Sequence, residues 1–243
     1  MSINVAIDND VLDNAKFVAS KIDETYLRKR AYALGIAANA TAKYLNANGL
    51  KTLSNHSLYR SAVFAKEVEI ADIYANNARF DVRVTFNDTT FTVPKLHIKY
   101  DIKPQAYIVV KFDSTLKDIN FLGFIPTEDL TFDKNGDEYY TYPLEILRPI
   151  EDFISYAQKL DITPYKYSET DHENIKELCL SFLDEEASEA DKIYFIKHVA
   201  TCPVCRETFC DMNDFDDIVS QLKNYHELLN DSTLSVLSGN KKE

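Results

Sequence analysis

Tryptophan is absent from the 243 residues, glycine occurs five times and cysteine four times. So few glycines leave no Gly-rich loop to cradle phosphates, and neither a G-x-S-x-G elbow nor an H-E-x-x-H helix is present. Nucleotide hydrolysis and serine or zinc hydrolase chemistry therefore find no support, and no enzymatic activity is expected. No uninterrupted apolar run approaches the roughly eighteen residues of a membrane helix. The opening stretch MSINVAIDNDVLDNAK is acidic and has no apolar segment, so no signal peptide is expected either. These absences point to a cytoplasmic protein, where thiols stay reduced and clustered cysteines favour metal or redox roles over structural disulfides.

What is present is ordinary in bulk and uneven in detail. Hydrophobic residues make up 45% and charged residues 27%, as in a globular protein with a real core. The net charge is −12, but residues 161–243 hold 18 acidic and 8 basic side chains, a net of −10. Residues 1–160 carry only −2. An acidic C-terminal part is repelled by phosphate backbones, which argues against direct nucleic-acid binding and suits a basic protein partner.

The hydrophobic period divides the chain. From Asp10 to about Asn48, Leu12, Ala15, Val18, Ile22, Tyr26 and Leu27 recur at helical spacing. Ala33, Ile36, Ala37, Ala40 and Tyr44 continue the run, and Asn48-Gly49 supplies a stop. The period then becomes two. ARFDVRVTF predicts a half-buried strand with Arg79, Asp81 and Arg83 on its wet face. NDTT predicts a turn returning FTVPKLHIKY against it, and AYIVVKF and INFLGFI predict two further strands. DKNGD signals another turn, and PLEILRPIEDFISYAQKL returns to helical spacing through Ile150, Phe153, Ile154 and Ala157. Beyond it the pattern is helical: His172 to Leu183, then Ser188 and Asp191 opening a helix to about Ala200. Pro203 suits the first position of a third helix capped by Cys202, and an amphipathic fourth runs from about Asp214 to Leu229.

The expected fold is an α+β domain over residues 1–160, with a long helix and an antiparallel sheet. A linker over 161–171 leads to a small all-α domain over 172–232, and 233–243 form a disordered tail.

Three of the four cysteines fall within KHVATCPVCRETFC, residues 197–210. His198, Cys202 and Cys205 stand as H-x3-C-x2-C, at the end of one helix and the start of the next, and can converge on one point. Closed zinc sites take four nitrogen or sulfur ligands, so a fourth must come from elsewhere. His172 and Cys179 lie two helical turns apart on one helix, and either can reach by direction. Two other readings stand beside zinc: a CxxC redox centre at a helix start, and thiols that merely fill a core, which is the expectation for Cys210.

The stretch HENIKELCLSFLDEEASEADKIYFIKHVATCPVCRETF resembles the zinc-binding domain of bacterial anti-sigma factors. In that family a Leu-Asp stretch, here SFLDEEAS, lies between an upstream ligand and the H-x3-C-x2-C. The resemblance places that ligand at His172, giving His172, His198, Cys202 and Cys205 around zinc. It further implies a sigma factor as partner, and some relatives release zinc on thiol oxidation. The family's zinc domain usually leads the chain, whereas here it comes last.

RAYALGIAANATAKYL, VEIADIY and YIVVKFDSTLKDINFLGFIP resemble a second family, an uncharacterised cyanobacterial domain of unknown function numbered 1822. This likeness spans residues 28–130 and implies a fold without a chemistry. Asp81 and Lys95 also stand at positions resembling restriction-endonuclease-like cores, but Val93 occupies the place of the second carboxylate that magnesium needs. His56 and His97 have no matching partners in the sequence and are expected to be surface or satisfied histidines.

Overall fold

The computed structural model describes residues 3–54, 64–65, 68–70, 72–132, 138–163 and 166–214. The expected turn DKNGD, His56, and the helix and tail expected beyond Asp214 lie outside the described residues.

The helical stretch expected from Asp10 to Asn48 is two helices, α1 (Asn9–Ala19) and α2 (Thr25–Ala47), preceded by a strand, β1 (Ile3–Ala6). The break spans residues 20–24. Ser20 Oγ donates to Phe17 O, and Arg28 closes the turn by donating through Nε to Ile22 O at 2.7 Å. Ile22, which continues the helical spacing, is instead the buried residue of that turn. Along α2 small residues dominate, and Ala31, Gly35, Ile36, Ala37, Ala38, Ala40 and Ala42 are all buried. Short side chains allow α2 close approach to both the sheet and α1.

The sheet is mixed rather than antiparallel. Its strands are β1, β2 (Leu53–Ser54), β3 (Asp72–Ala75), β4 (Ala78–Val84), β6 (Ala106–Phe112) and β7 (Asp118–Pro126), in the order β1-β7-β6-β4-β3-β2. β4 and β6 are parallel, with Phe80 opposite Ala106 and Val84 opposite Val110, and the other pairs are antiparallel. Asn76 and Asn77, both at positive φ, make the two-residue turn between β3 and β4. β5 (Thr90–Pro94) does not return against β4. It pairs with β8 (Tyr139–Pro143) in a separate two-stranded sheet, and one helical turn, α3 (Leu96–Lys99), follows it. The last stretch of this part is β8, two short 3-10 turns and then α4 (Phe153–Lys159), so its helix starts later than the spacing suggests.

β4 is buried on both faces, which corrects the half-exposed strand read from its alternation. One face carries Phe80 and Val82 into the apolar core that includes α1, α2 and α4. The opposite face carries Arg79, Asp81 and Arg83, and these are buried because they neutralise their neighbours. Arg79 Nη1 lies 2.8 Å from Asp72 Oδ2, and Arg83 Nε lies 2.7 Å from Asp81 Oδ1. Arg83 Nη1 also meets Glu69 at 2.9 Å, and that carboxylate accepts from Tyr139 Oη at 2.6 Å and pairs with Arg30. Buried charges persist only when paired in this way.

Three helices follow: α5 (Glu169–Leu183), α6 (Glu189–Thr201) and α7 over residues 203–214. α5 begins before His172, because Ser168 and Asp171 form a complete capping box. Ser188 caps α6 by accepting from Asp191 N. Their apolar faces do not close on one another alone. Ile175, Phe182, Phe195, Val199 and Phe209 share a core with Phe64, Val68, Ile70, Tyr100 and Ile102. Exposed ion pairs, Lys99–Glu189 and Lys197–Asp101, edge the same junction. No helix among the described residues is long and apolar enough to cross a membrane.

Candidate metal centre

The end of α6, the turn at Cys202 and the first turn of α7 bring the H-x3-C-x2-C residues together. Cys202 has an extended backbone between the two helices, and its N–H donates to His198 O at 2.7 Å. Pro203, with no N–H to lose, opens α7. His172 arrives from the first turn of α5. One ligand atom from each of His172, His198, Cys202 and Cys205 lies within 4.8 Å of the others. His172 Nδ1 is 3.0 Å from Cys205 Sγ and 4.0 Å from Cys202 Sγ. Neighbouring ligand atoms of a tetrahedral zinc ion are roughly 3.3–3.8 Å apart at ordinary bond lengths. The four residues can therefore hold a metal ion after only small adjustments.

A second observation concerns His198. Its ring is buried, and neither ring nitrogen has a hydrogen-bond partner. A buried polar group left in that state costs on the order of 1–3 kcal/mol, and a ligated metal relieves it at one nitrogen. Burial, then the neighbouring His172, push the His198 pKa down to about 4, so the imidazole is neutral and offers a lone pair. Burial pushes the Cys205 thiol up to about 12, with Cys202 adding to the shift. Binding a metal there displaces thiol protons. Tyr167 stacks on His198, with ring centroids 3.6 Å apart, and its hydroxyl meets Thr201 Oγ1.

Cys179 is not among the four. It is buried beside Ile175, Phe195, Phe209 and Met212, and burial raises its pKa to about 12. Cys210 is buried in the same core. Asp81 lies buried in β4 against Arg83, while Lys95 follows β5 with its ammonium 5.3 Å from the Tyr140 ring centroid. His97 is the satisfied histidine of the two alternatives expected for it: fully buried, with Nδ1 3.1 Å from Tyr107 Oη and Nε2 2.7 Å from Glu69 O.

Sequence reasoning missed two residues that touch the ligand-bearing turn. Tyr74, in β3, donates to Ala200 O at 2.5 Å, and Arg206, the residue after Cys205, donates to Tyr74 Oη at 2.7 Å. Only the position of Arg206 directly after a candidate ligand marks it in the sequence. Nothing marks Tyr74.

Fold and site together define an α+β protein whose C-terminal helices carry a two-histidine, two-cysteine cluster suited to a metal ion. The chain belongs to the family described as "Protein of unknown function (DUF1822)", whose model matches residues 5–186. No curated protein and no solved structure matches it. The family match takes in His172 and stops before His198, so one candidate ligand lies inside it and three lie beyond.

Proposed function

We propose that this protein is a cytoplasmic regulator that uses a structural zinc ion to shape a protein-binding surface, and that its partner is a sigma factor. The convergence of His172, His198, Cys202 and Cys205 around His198's unpartnered nitrogens carries the zinc part of this reading. Two imidazoles and two thiolates suit tetrahedral zinc, which fixes the fold without redox chemistry of its own. Four protein ligands would close the sphere and leave no position for water, so the ion in this reading is structural rather than catalytic.

The partner rests on other grounds. The likeness of SFLDEEAS and the H-x3-C-x2-C to anti-sigma zinc domains supports a sigma factor. So does the acidic exterior of the helical layer, where Glu169, Glu173, Glu177, Asp184, Glu185, Glu186 and Glu189 are all exposed. Such a surface attracts a basic, partly apolar face and repels nucleic acid. Covering the polymerase-binding face of a sigma factor would repress transcription. A second reading, a zinc-stabilised scaffold for a different protein partner, draws support from the core that α5, α6 and α7 share with Phe64, Val68, Ile70, Tyr100 and Ile102.

The test is affinity capture from the native cells beside a Cys202→Ser/Cys205→Ser variant, with zinc measured in both preparations. One zinc per chain is expected in the wild type and in Cys179→Ala, and none in the double variant. A sigma factor retained by the wild type and lost with the double variant supports the leading reading. Zinc without a sigma factor leaves the scaffold.

A further inference from the structure

The contacts around Ala200 lead beyond that reading. Tyr74 Oη donates to Ala200 O at 2.5 Å, and Arg206 Nη2 donates both to Tyr74 Oη, at 2.7 Å, and to Ala200 O, at 3.1 Å. The guanidinium carbon stands 4.6 Å from the Tyr74 ring centroid. Ala200 lies two residues from both His198 and Cys202, and Arg206 directly follows Cys205. A single side chain of β3 thus holds both arms of the turn that presents three of the four cluster residues. The carbonyl it satisfies belongs to the last turn of α6, where a carbonyl has no partner within the helix.

We propose that Tyr74 and Arg206 are positioning residues for the metal centre, and that metal binding and docking of the helical layer on β3 are one linked equilibrium. This rests on the zinc reading above.

The linkage follows from geometry. Cys202 and Cys205 can be brought to one ion only when the α6–α7 turn has a single shape. Tyr74 fixes that shape from outside, through Ala200 on one side and Arg206 on the other. Contacts of this outer kind orient ligands, and their loss typically lowers metal affinity 10–100-fold. Reciprocity then requires the metal to strengthen the Tyr74 contacts by the same factor. β3 also carries Asp72, the partner of Arg79, so the state of the metal centre reaches the charged face of the sheet within one strand. The family-matched part is thereby made sensitive to ligands that lie outside the match.

The experiment measures Co2+ uptake by its visible absorbance and Zn2+ affinity by chelator competition, on the full chain, for wild type, Arg206→Ala, Arg206→Lys and Tyr74→Phe. About tenfold weaker Zn2+ binding is expected in Arg206→Ala, with a smaller loss in Tyr74→Phe and partial recovery in Arg206→Lys. The Co2+ spectrum of each loaded variant should keep its shape, because the ligand set is unchanged. Hydrogen exchange supplies the reciprocal reading: chelation should speed exchange in residues 72–79 of the wild type. Arg206→Ala should show that faster exchange with metal bound. A Zn2+ affinity in Arg206→Ala and Tyr74→Phe within twofold of wild type overturns the linkage while leaving the metal reading intact. Exchange in 72–79 that ignores chelation overturns it equally. If wild type takes up neither metal, both readings fall.

Discussion

His97 shows what burial does to a single side chain. Its ring stacks on Tyr107 and is held by Tyr107 Oη and Glu69 O. Burial first, then Arg83, push its pKa down to about 3. Arg79 acts in the same direction, while the bond to Glu69 and the charge of Asp72 oppose the shift. The unfolded chain protonates this histidine near pH 6.5. Between about pH 6.5 and 3 the unfolded state therefore binds a proton that the folded state refuses, so this contribution to stability is complete above pH 6.5 and is lost as the pH falls. The slope approaches roughly 1.4 kcal/mol per pH unit within that window. Urea unfolding of wild type and His97→Gln at pH 7.5, 6.0 and 5.0 checks this. The difference in stability between the two should narrow on acidification, and parallel pH profiles would remove His97 from the account. Its burial was not legible in KLHIKY. It follows from β5 leaving the main sheet, which lets α3 fold His97 back over β6.

At the scale of elements, period and pairing proved separable. Alternation marks β4, where Phe80 and Val82 face the core and Arg79, Asp81 and Arg83 face the other way. β6, with a core on each face, reads as an apolar run, and neither pattern carries information about neighbours. The turn signal before β5 predicts its return to β4. β5 finds β8 instead, and the vacated edge of β4 takes β6 in parallel. Charge misled in the same way: Arg79, Asp81 and Arg83 read as a wet face and form a neutralised, buried row. For the candidate metal centre, His198, Cys202 and Cys205 are legible as a local spacing. His172 was reached only through a family likeness, because the relation between α5 and α6 is a matter of tertiary packing. One element carries a strict demand. Gly123 in β7 has φ +147°, where the strand register shifts against Val109 and Val110, and a Cβ there would strike Arg148 O. Phe124 N donates to that same oxygen, at 3.0 Å. Gly123→Ala is expected to cost about 2–4 kcal/mol by chemical denaturation. A loss below about 0.5 kcal/mol, typical of a tolerant surface site, would show that β7 can shift away from Arg148.

Over the whole molecule, two large apolar clusters stand apart: one between the sheet and α1, α2 and α4, the other formed by α5, α6 and α7 with Phe64, Val68, Ile70, Tyr100 and Ile102. The first is rich in side chains and needs no ion. The second is smaller, contains all four cysteines and is closed by helices that the proposed metal ion would tie together. Structural zinc supplies on the order of 10–16 kcal/mol in small peptides. Chelation should therefore strip exchange protection from residues 169–214 while residues 31–45 of α2 keep theirs. Uniform loss across both regions, or none, would show that the two clusters do not differ in their dependence on metal.

The pairing of β1 with β7 sets Ile3 beside Phe121, and it fixes an order of events during synthesis. Among the described strands, β1 has no partner until the chain through Phe121 has left the ribosome. At roughly 5–20 residues per second, that wait is on the order of ten seconds. The α1–α2 helix pair and the β3–β4 hairpin can form in the interval from contacts near in sequence. Assembly of the sheet is thus delayed to a late, collective step dominated by distant contacts, which makes for slow folding. The nascent chain must keep an unpaired strand out of trouble until β7 has been made.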